Sequence, residues 1–196
     1  MTAPSTTSTA TTTSSTTTTT LAFTDCPALP TTSCRLPVVA GMGILELRRG
    51  RTPEGNRLRW RWEFGMATTL ADFGDPLSAT DYRLCVYGST GLEVDVPVAP
   101  AGVCDGRSCW TAGRRGFRYR DLDNSSSAAS DLLLRTGDNR RAATFFAAGG
   151  PLLKIPPLPL PLPATVQLRA ATGVCWTTTH SAATLNTARK LRSRPE

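Results

Sequence analysis

Residues 57–64 alternate strictly between charged and large apolar side chains, and this alternation is the feature that most restricts the fold. The segment reads RLRWRWEF. Successive side chains of a β-strand point to opposite faces, so a period of two predicts a half-buried strand, whereas a helix would scatter the aromatic rings around its circumference. The residues predicted to face the core are Leu58, Trp60, Trp62 and Phe64. The residues predicted to face solvent are Arg57, Arg59, Arg61 and Glu63.

Shorter runs of the same kind recur and predict further strands. They occupy residues 44–48, 82–87 and 117–120, and hairpins are predicted at 132–147 and 166–178, where Gly, Asp or Asn supplies the turn. About eight short strands without a long helical stripe predict an all-β fold, an antiparallel β-sandwich. The other residues predicted in its core are Leu84, Val86, Trp110, Leu168 and Trp176.

Two segments depart from this pattern. Residues 155–163 alternate Pro with Leu. Because Pro cannot donate to a sheet ladder, we expect a polyproline II crossover with its leucines buried; the alternative is a ligand for a Pro-recognising partner. Residues 182–192 are the one helical candidate.

The first 24 residues predict a disordered linker, because sixteen of the first twenty are Ser or Thr and so polar a segment cannot offset its ordering entropy by burial. The segment lacks the basic start and apolar stretch of a signal peptide, so no export signal is visible. The chain contains no run of about 18 apolar residues, so we expect no membrane span. We divide it into a low-complexity linker (1–24), a Cys-containing connecting segment (25–39) and a β-sandwich domain (40–196).

Six cysteines in so small a chain predict disulfide bonds and an oxidising compartment. Short spacing favours two local bridges, which leaves one bridge between distant strands. The predicted pairs are Cys104–Cys109, Cys26–Cys34 and Cys85–Cys175. The alternative is a zinc site made by the thiolates at 85, 104, 109 and 175, but the sequence lacks the paired C-x₂-C spacing of such sites.

Twenty-two basic residues, twenty of them Arg, exceed fifteen acidic ones. Arg suits planar, bidentate contact with phosphate, sulfate or carboxylate. If their strands are neighbours, the outer sheet face is a basic plate that binds a polyanion. Its members are Arg57, Arg59, Arg61, Arg118 and Arg120. The alternatives are a coding bias toward Arg and neutralisation by the carboxylates at 63, 121 and 123.

Signatures of catalysis and of metal binding are weak. His180 is the single histidine, and its place at a strand end favours a surface position without a catalytic role. The weak Ca²⁺ candidates are Asp72 and Asp75 in one loop and Asp121 and Asp123 in another, although turns explain these residues without a metal. The sequence contains no nucleophile elbow, phosphate loop or dinucleotide fingerprint. We expect neither an enzyme nor a cofactor.

Several short motifs in order resemble an uncharacterised family of bacterial exported or surface β-domains that follow Ser/Thr-rich linkers. The motifs are Phe73-Gly74-Asp75-Pro76, DYRLCVY at 81–87, Cys109-Trp110, GFRYRD at 116–121, VQL at 166–168 and Cys175-Trp176. The resemblance covers residues 43–192. That family has no established activity, so the resemblance implies a small, disulfide-bearing exported domain and no site residues.

Together these features favour a non-catalytic accessory or binding module, extracellular, periplasmic or on the cell surface, tethered to a larger assembly. Its expected ligand is an acidic polysaccharide or another polyanion, and no specific nucleic-acid motif is present. One alternative is a structural or adhesive spacer without a ligand. Another is a hydrolase that uses a carboxylate pair.

Overall fold

The computed structural model describes residues 25–196, and the predicted disordered linker lies outside the described residues. The described chain confirms the all-β prediction, with fourteen strands and one short α-helix, α1 (Leu70–Phe73). The strands are β1 (Gly43–Arg48), β2 (Arg57–Gly65), β3 (Tyr82–Gly88), β4 (Gly91–Val98), β5 (Val103–Cys104), β6 (Arg107–Ser108), β7 (Trp110–Gly113), β8 (Gly116–Arg120), β9 (Ala129–Arg135), β10 (Ala142–Gly149), β11 (Ala164–Ala170), β12 (Cys175–His180), β13 (Ala183–Thr187) and β14 (Lys190–Ser193).

Two antiparallel sheets form a sandwich around one hydrophobic core. The larger sheet has the strand order β13-β14-β1-β2-β10-β9-β8-β7, and the smaller has the order β12-β11-β3-β4. The strands β5 and β6 form a separate ribbon. Several of the strands beyond the eight predicted are short or lie at sheet edges, where the alternation of side chains is too brief to be recognised.

Aromatic side chains fill the space between the sheets. Trp60 is completely buried, and its indole N–H donates to Thr178 Oγ1 of the opposite sheet at 2.7 Å. Trp110 packs against Tyr82, with 5.6 Å between ring centroids. A buried indole N–H needs such an acceptor, because an unpaired buried donor is costly. Apart from Phe64, the residues predicted to form the core are buried.

Phe64 is the exception, since 44% of its surface is exposed. Between the pairs Trp62↔Thr144 and Gly65↔Ala142, two residues of β2 face one residue of β10, which is a β-bulge. Phe64 adopts φ = 52° there, a left-handed conformation that costs a non-Gly residue about 1–2 kcal/mol. The next position, 65, requires Gly because a Cβ there would overlap the indole ring of Trp62.

Residues 25–38, which we call the strap, cross the outer face of the smaller sheet and pass its β12 edge. The Thr31 N–H donates to Gln167 Oε1 at 3.0 Å, and Gln167 Nε2 donates back to the Thr31 carbonyl at 2.6 Å. At the edge, the Arg35 N–H donates to the Cys175 carbonyl at 2.8 Å. The outer-face residues Cys85 and Gln167 are almost completely buried, so the strap covers part of a second, smaller hydrophobic layer.

The structure confirms three disulfides and corrects two of the predicted pairs. The bonds are Cys26–Cys85, Cys34–Cys175 and Cys104–Cys109. The predicted Cys85–Cys175 bridge is wrong because β11 lies between the two strands. Two strand spacings amount to about 10 Å, which exceeds the Cα separation of about 7 Å that a disulfide tolerates. Since all six sulfurs are bonded, the alternative of a zinc site at 85, 104, 109 and 175 is also wrong.

The helical prediction for residues 182–192 is wrong, because this segment forms the β13–β14 hairpin. Leu191 and Ser193 face inward with a period of two. The Pro-Leu segment forms no regular strand, and Leu158 and Leu160 are buried as predicted. The Leu160 N–H donates to Asn186 Oδ1 at 3.0 Å, so the segment is fixed beside the β13 edge. No helix within residues 25–196 is long and apolar enough for a bilayer crossing.

The disulfides should differ in their contribution to stability. The Cys34→Ser/Cys175→Ser variant opens a loop whose ends are 141 residues apart, for which loop entropy predicts a loss of about 5 kcal/mol in the free energy of unfolding. The control Cys104→Ser/Cys109→Ser opens a loop with a separation of 5 residues and should lose about 2 kcal/mol. Urea unfolding checks this order, and equal losses would contradict it.

Candidate polyanion-binding face

The outer face of the larger sheet, here called the basic face, carries most of the candidate ligand-binding residues. Residues paired across neighbouring strands lie on the same face, and the alternate residues of each strand point into the core. Together these two facts place nine basic side chains on the outer face. They are Arg48, Arg57, Arg59, Arg61, Arg118, Arg120, Arg135, Lys190 and Arg192. The carboxylates on the same face are Glu46, Glu63 and Asp131. The face therefore has a clear excess of positive charge.

The arginine row on β2 lies at the centre of this face. Arg59 is opposite Ala147 of β10, and Arg57 is opposite Gly149, so small neighbours leave both guanidinium groups accessible. Arg57 Nη1 donates to the backbone carbonyls of Glu54 and Asn56, both at 2.6 Å, which fixes its direction. These residues are exposed on the strand, as the alternation predicts.

Arg61 lies over the Phe145 ring of the neighbouring strand, with 5.6 Å between Cζ and the ring centroid. This cation–π contact orients the guanidinium without neutralising its charge. Because Arg61 remains exposed, it stays available for an anion.

Arg118 and Arg120 share the face with the β2 row, but the condition that their strands are neighbours is not met. β9 and β10 lie between β8 and β2, which separates the two groups by about 14 Å. Arg118 donates to both oxygens of Asp131, at 3.1 and 2.6 Å. These hydrogen bonds raise the pKa of Arg118, and they neutralise its charge. Of the two predicted residues on β8, Arg120 is the one without an ion pair among the described residues.

A small pocket of about 240 Å³ lies at the β14 side of the row. Its lining residues are Glu46, Arg48, Arg57, Arg59 and Lys190. Glu46 forms an ion pair with Arg192, with 3.2 Å between Oε1 and Nε, so this carboxylate is partly neutralised by a residue outside the pocket. The sequence prediction missed four basic residues of the face, although Arg48 continues the alternation that Leu45 and Leu47 begin. The missed residues are Arg48, Arg135, Lys190 and Arg192.

The first pair of Ca²⁺ candidates, Asp72 and Asp75, makes contacts that stabilise the fold. Arg35 donates to both Asp72 oxygens at 2.8 Å, and Asp72 also caps α1 by accepting from Thr69. The hydrogen bonds from Arg35 are the main cause that lowers the pKa of Asp72 to about 2. Asp75 accepts from the Leu77 N–H at 3.0 Å within its own turn. These contacts explain both carboxylates as structural.

The second pair of Ca²⁺ candidates, Asp121 and Asp123, also does not form a group of metal ligands. Asp121 is buried and accepts from the backbone N–H groups of Ser125 and Ser126, at 3.1 and 2.9 Å. Asp123 is exposed on the same turn. Within residues 25–196, no group of three or more His, Cys, Asp or Glu side chains is arranged to hold a cation. The alternative that Asp121 neutralises the arginines is also wrong, because its carboxylate accepts hydrogen bonds from its own loop.

His180 is fully buried, so its predicted surface position is wrong. Trp60 Nε1–H already donates to Thr178 Oγ1, so the Thr178 hydroxyl is free to donate to His180 Nε2, at 3.0 Å. By this assignment Nδ1 carries the proton and donates to Ser193 Oγ at 3.1 Å. Ser193 in turn donates to the Ala182 carbonyl. The Ser193 hydroxyl is therefore committed to the backbone and buried, which does not suit a nucleophile.

Comparison with protein-family models, with curated proteins and with solved structures finds no match to this chain.

The buried imidazole should make stability depend on pH. Burial lowers the pKa of His180 to about 4, whereas an unfolded His titrates near 6.5. The unfolded state therefore binds more protons as the pH falls below about 6.5, and the free energy of unfolding should decrease by about 3 kcal/mol by pH 4. Urea titrations between pH 5 and 6.5 measure this slope. The His180→Gln variant should flatten it, and an unchanged slope would refute the assignment.

Proposed function

We propose that this protein is a non-catalytic binding module that holds an acidic polysaccharide or another polyanion on its basic face. The observation that carries the proposal is the exposed row of Arg57, Arg59 and Arg61 at the centre of an uncovered sheet face with a large excess of basic residues. Guanidinium groups bind carboxylates, sulfates and phosphates through paired N–H donors. Several such contacts along one polymer chain add up to useful affinity.

The two outer faces of the sandwich differ in a way that supports this proposal. On the smaller sheet, the strap buries the outer-face residues Cys85 and Gln167. On the larger sheet, Arg57, Arg59 and Arg61 of β2 remain exposed, so no other part of residues 25–196 buries them. The basic face is therefore the broad surface that a partner can reach.

The scarcity of exposed aromatic residues favours a polysaccharide over a single-stranded nucleic acid. Proteins that bind single strands usually stack successive bases on exposed aromatic rings. All tryptophans and tyrosines of the chain are buried, and Phe145 is covered in part by Arg61. Phe64 is the one exposed aromatic side chain within residues 25–196. The face thus offers charge and few stacking surfaces.

We further propose that the module is exported and attached to a larger extracellular or cell-surface assembly. Three disulfides are typical of proteins that fold in an oxidising compartment. Thr-rich segments are typical of the linkers that hold extracellular modules apart. A tethered module of this kind would bring the assembly to the acidic polymer.

Retention on immobilised polygalacturonate tests the proposal. Replacing Arg57, Arg59 and Arg61 by Gln should reduce affinity by about 10- to 100-fold, since each exposed charge contact contributes up to about 1 kcal/mol. The variant should therefore elute at lower salt. The control variant replaces Arg51, Arg189 and Arg194, which are exposed outside the row, and it loses the same charge. Retention should be higher for the control than for the row variant.

The same experiment separates the competing functions. Equal retention of the two variants would show a diffuse charge effect and overturn the role of the row. A wild-type protein that is not retained even at low salt would favour the spacer without a ligand. Release of shortened polymer during incubation would favour the hydrolase and overturn the non-catalytic assignment.

A further inference from the structure

We propose that the pocket at the end of β2 binds one carboxylate-bearing sugar residue of the polyanion, with Phe64 against the sugar ring and arginines around the carboxylate. This inference rests on the proposed function and assigns it a specific subsite. The pocket has a volume of about 660 Å³, within the range of small-molecule sites. It lies between the β7–β8 turn, the β9–β10 turn and the bulge of β2.

The charge of the pocket suits a carboxylate. Four arginines and two carboxylates line it, and none of the four arginines forms an ion pair with another described residue. The arginines are Arg115, Arg135, Arg140 and Arg141. The carboxylates are Glu63 and Asp138. Unpaired guanidinium groups of residues that line one cavity offer the planar donor pairs that a carboxylate accepts.

Backbone hydrogen bonds fix the walls of the pocket before any ligand binds. The Thr136 N–H donates to the Arg115 carbonyl at 2.7 Å, which joins the two turns. The Arg140 N–H donates to the Gly65 carbonyl at 2.8 Å, which joins the β9–β10 turn to the bulge. A site held in this way loses little conformational freedom on binding.

Two strained residues line this pocket. Phe64 and Arg140 both have positive φ, at 52° and 72°, in a region where Gly is the favoured residue. A Gly at position 64 would form the same bulge without strain, whereas Phe places an exposed aromatic ring in a pocket that four arginines also line. Strain that persists where a side chain is exposed in a pocket is consistent with a functional role.

The ligand is assigned as an anionic sugar because one aromatic ring and several arginines meet in a cavity of limited size. One exposed ring can contact one apolar sugar face, whereas a nucleic acid strand would use several stacking surfaces. The sugar should bear a carboxylate, and a sulfated sugar offers related chemistry. The experiment therefore includes both anions and an oligonucleotide.

Calorimetry on the oxidised full chain tests the pocket with galacturonate trimer, its methyl ester, N-acetylglucosamine 6-sulfate and an oligothymidylate. We expect the trimer to bind at least tenfold more tightly than each of the other probes. The uncharged methyl ester isolates the contribution of the carboxylate. Tighter binding of the sulfated sugar or of the oligonucleotide would overturn the ligand assignment.

Variants at Phe64 separate binding from folding. Phe64→Gly should weaken trimer binding at least tenfold while the thermal midpoint stays the same or rises, because Gly relieves the positive φ. Phe64→Tyr, which keeps the ring, should bind within threefold of the wild type. Arg135→Gln/Arg141→Gln should weaken the trimer at least tenfold, and Arg51→Gln/Arg189→Gln should not. Equal affinities across all these variants would overturn the pocket.

The pocket proposal and the proposed function can be refuted separately. If the trimer does not bind but the Arg57, Arg59 and Arg61 replacements still reduce retention on the polymer, the pocket proposal is wrong and the proposed function stands. If the wild-type protein binds neither the polymer nor the trimer, both are wrong.

Discussion

Burial of the indole rings of Trp60 and Trp62 between the two sheets is the constraint on which the rest of the structure depends. These rings occupy alternate positions of β2, so the residues between them must face away from the core. The hydrogen bond from Trp60 to Thr178 fixes the position of β12 against β2, and the one from Trp62 to the Arg35 carbonyl ties the strap to the same strand. The exposed arginine row is therefore a geometric consequence of the aromatic core.

The outer faces of the two sheets differ in how they are covered. The smaller sheet binds the strap of its own chain through two disulfides and the Thr31–Gln167 hydrogen bonds, and so its outer face is closed. The larger sheet has more strands than the smaller, and its outer face carries charge. Charged side chains along a sheet also discourage association with other sheets. The arrangement leaves one outer face closed by the chain itself and the other exposed.

The sequence predicted the features that depend on local pattern and missed those that depend on strand order. Alternation was enough to place Leu58, Trp60 and Trp62 in the core, because every sandwich buries one face of its strands. It was insufficient for the disulfides of Cys85 and Cys175, because only the order of the strands shows that β11 separates them. Phe64 was misplaced for a related reason: a bulge depends on the neighbouring strand, and a single sequence carries no signal of it.

The first disulfide would also determine where a pulling force on the N-terminal segment enters the fold. Cys26 closely follows the Thr-rich segment of residues 1–24, and its sulfur is bonded to Cys85 of β3, an inner strand of the smaller sheet. Tension applied through the Thr-rich segment therefore passes into a covalent bond before it reaches the hydrogen bonds of the strap. Because β3 is held by β4 on one side and β11 on the other, the load spreads across the sheet. A ligand on the basic face would then be pulled from the opposite side of the sandwich, with the strap protected from peeling.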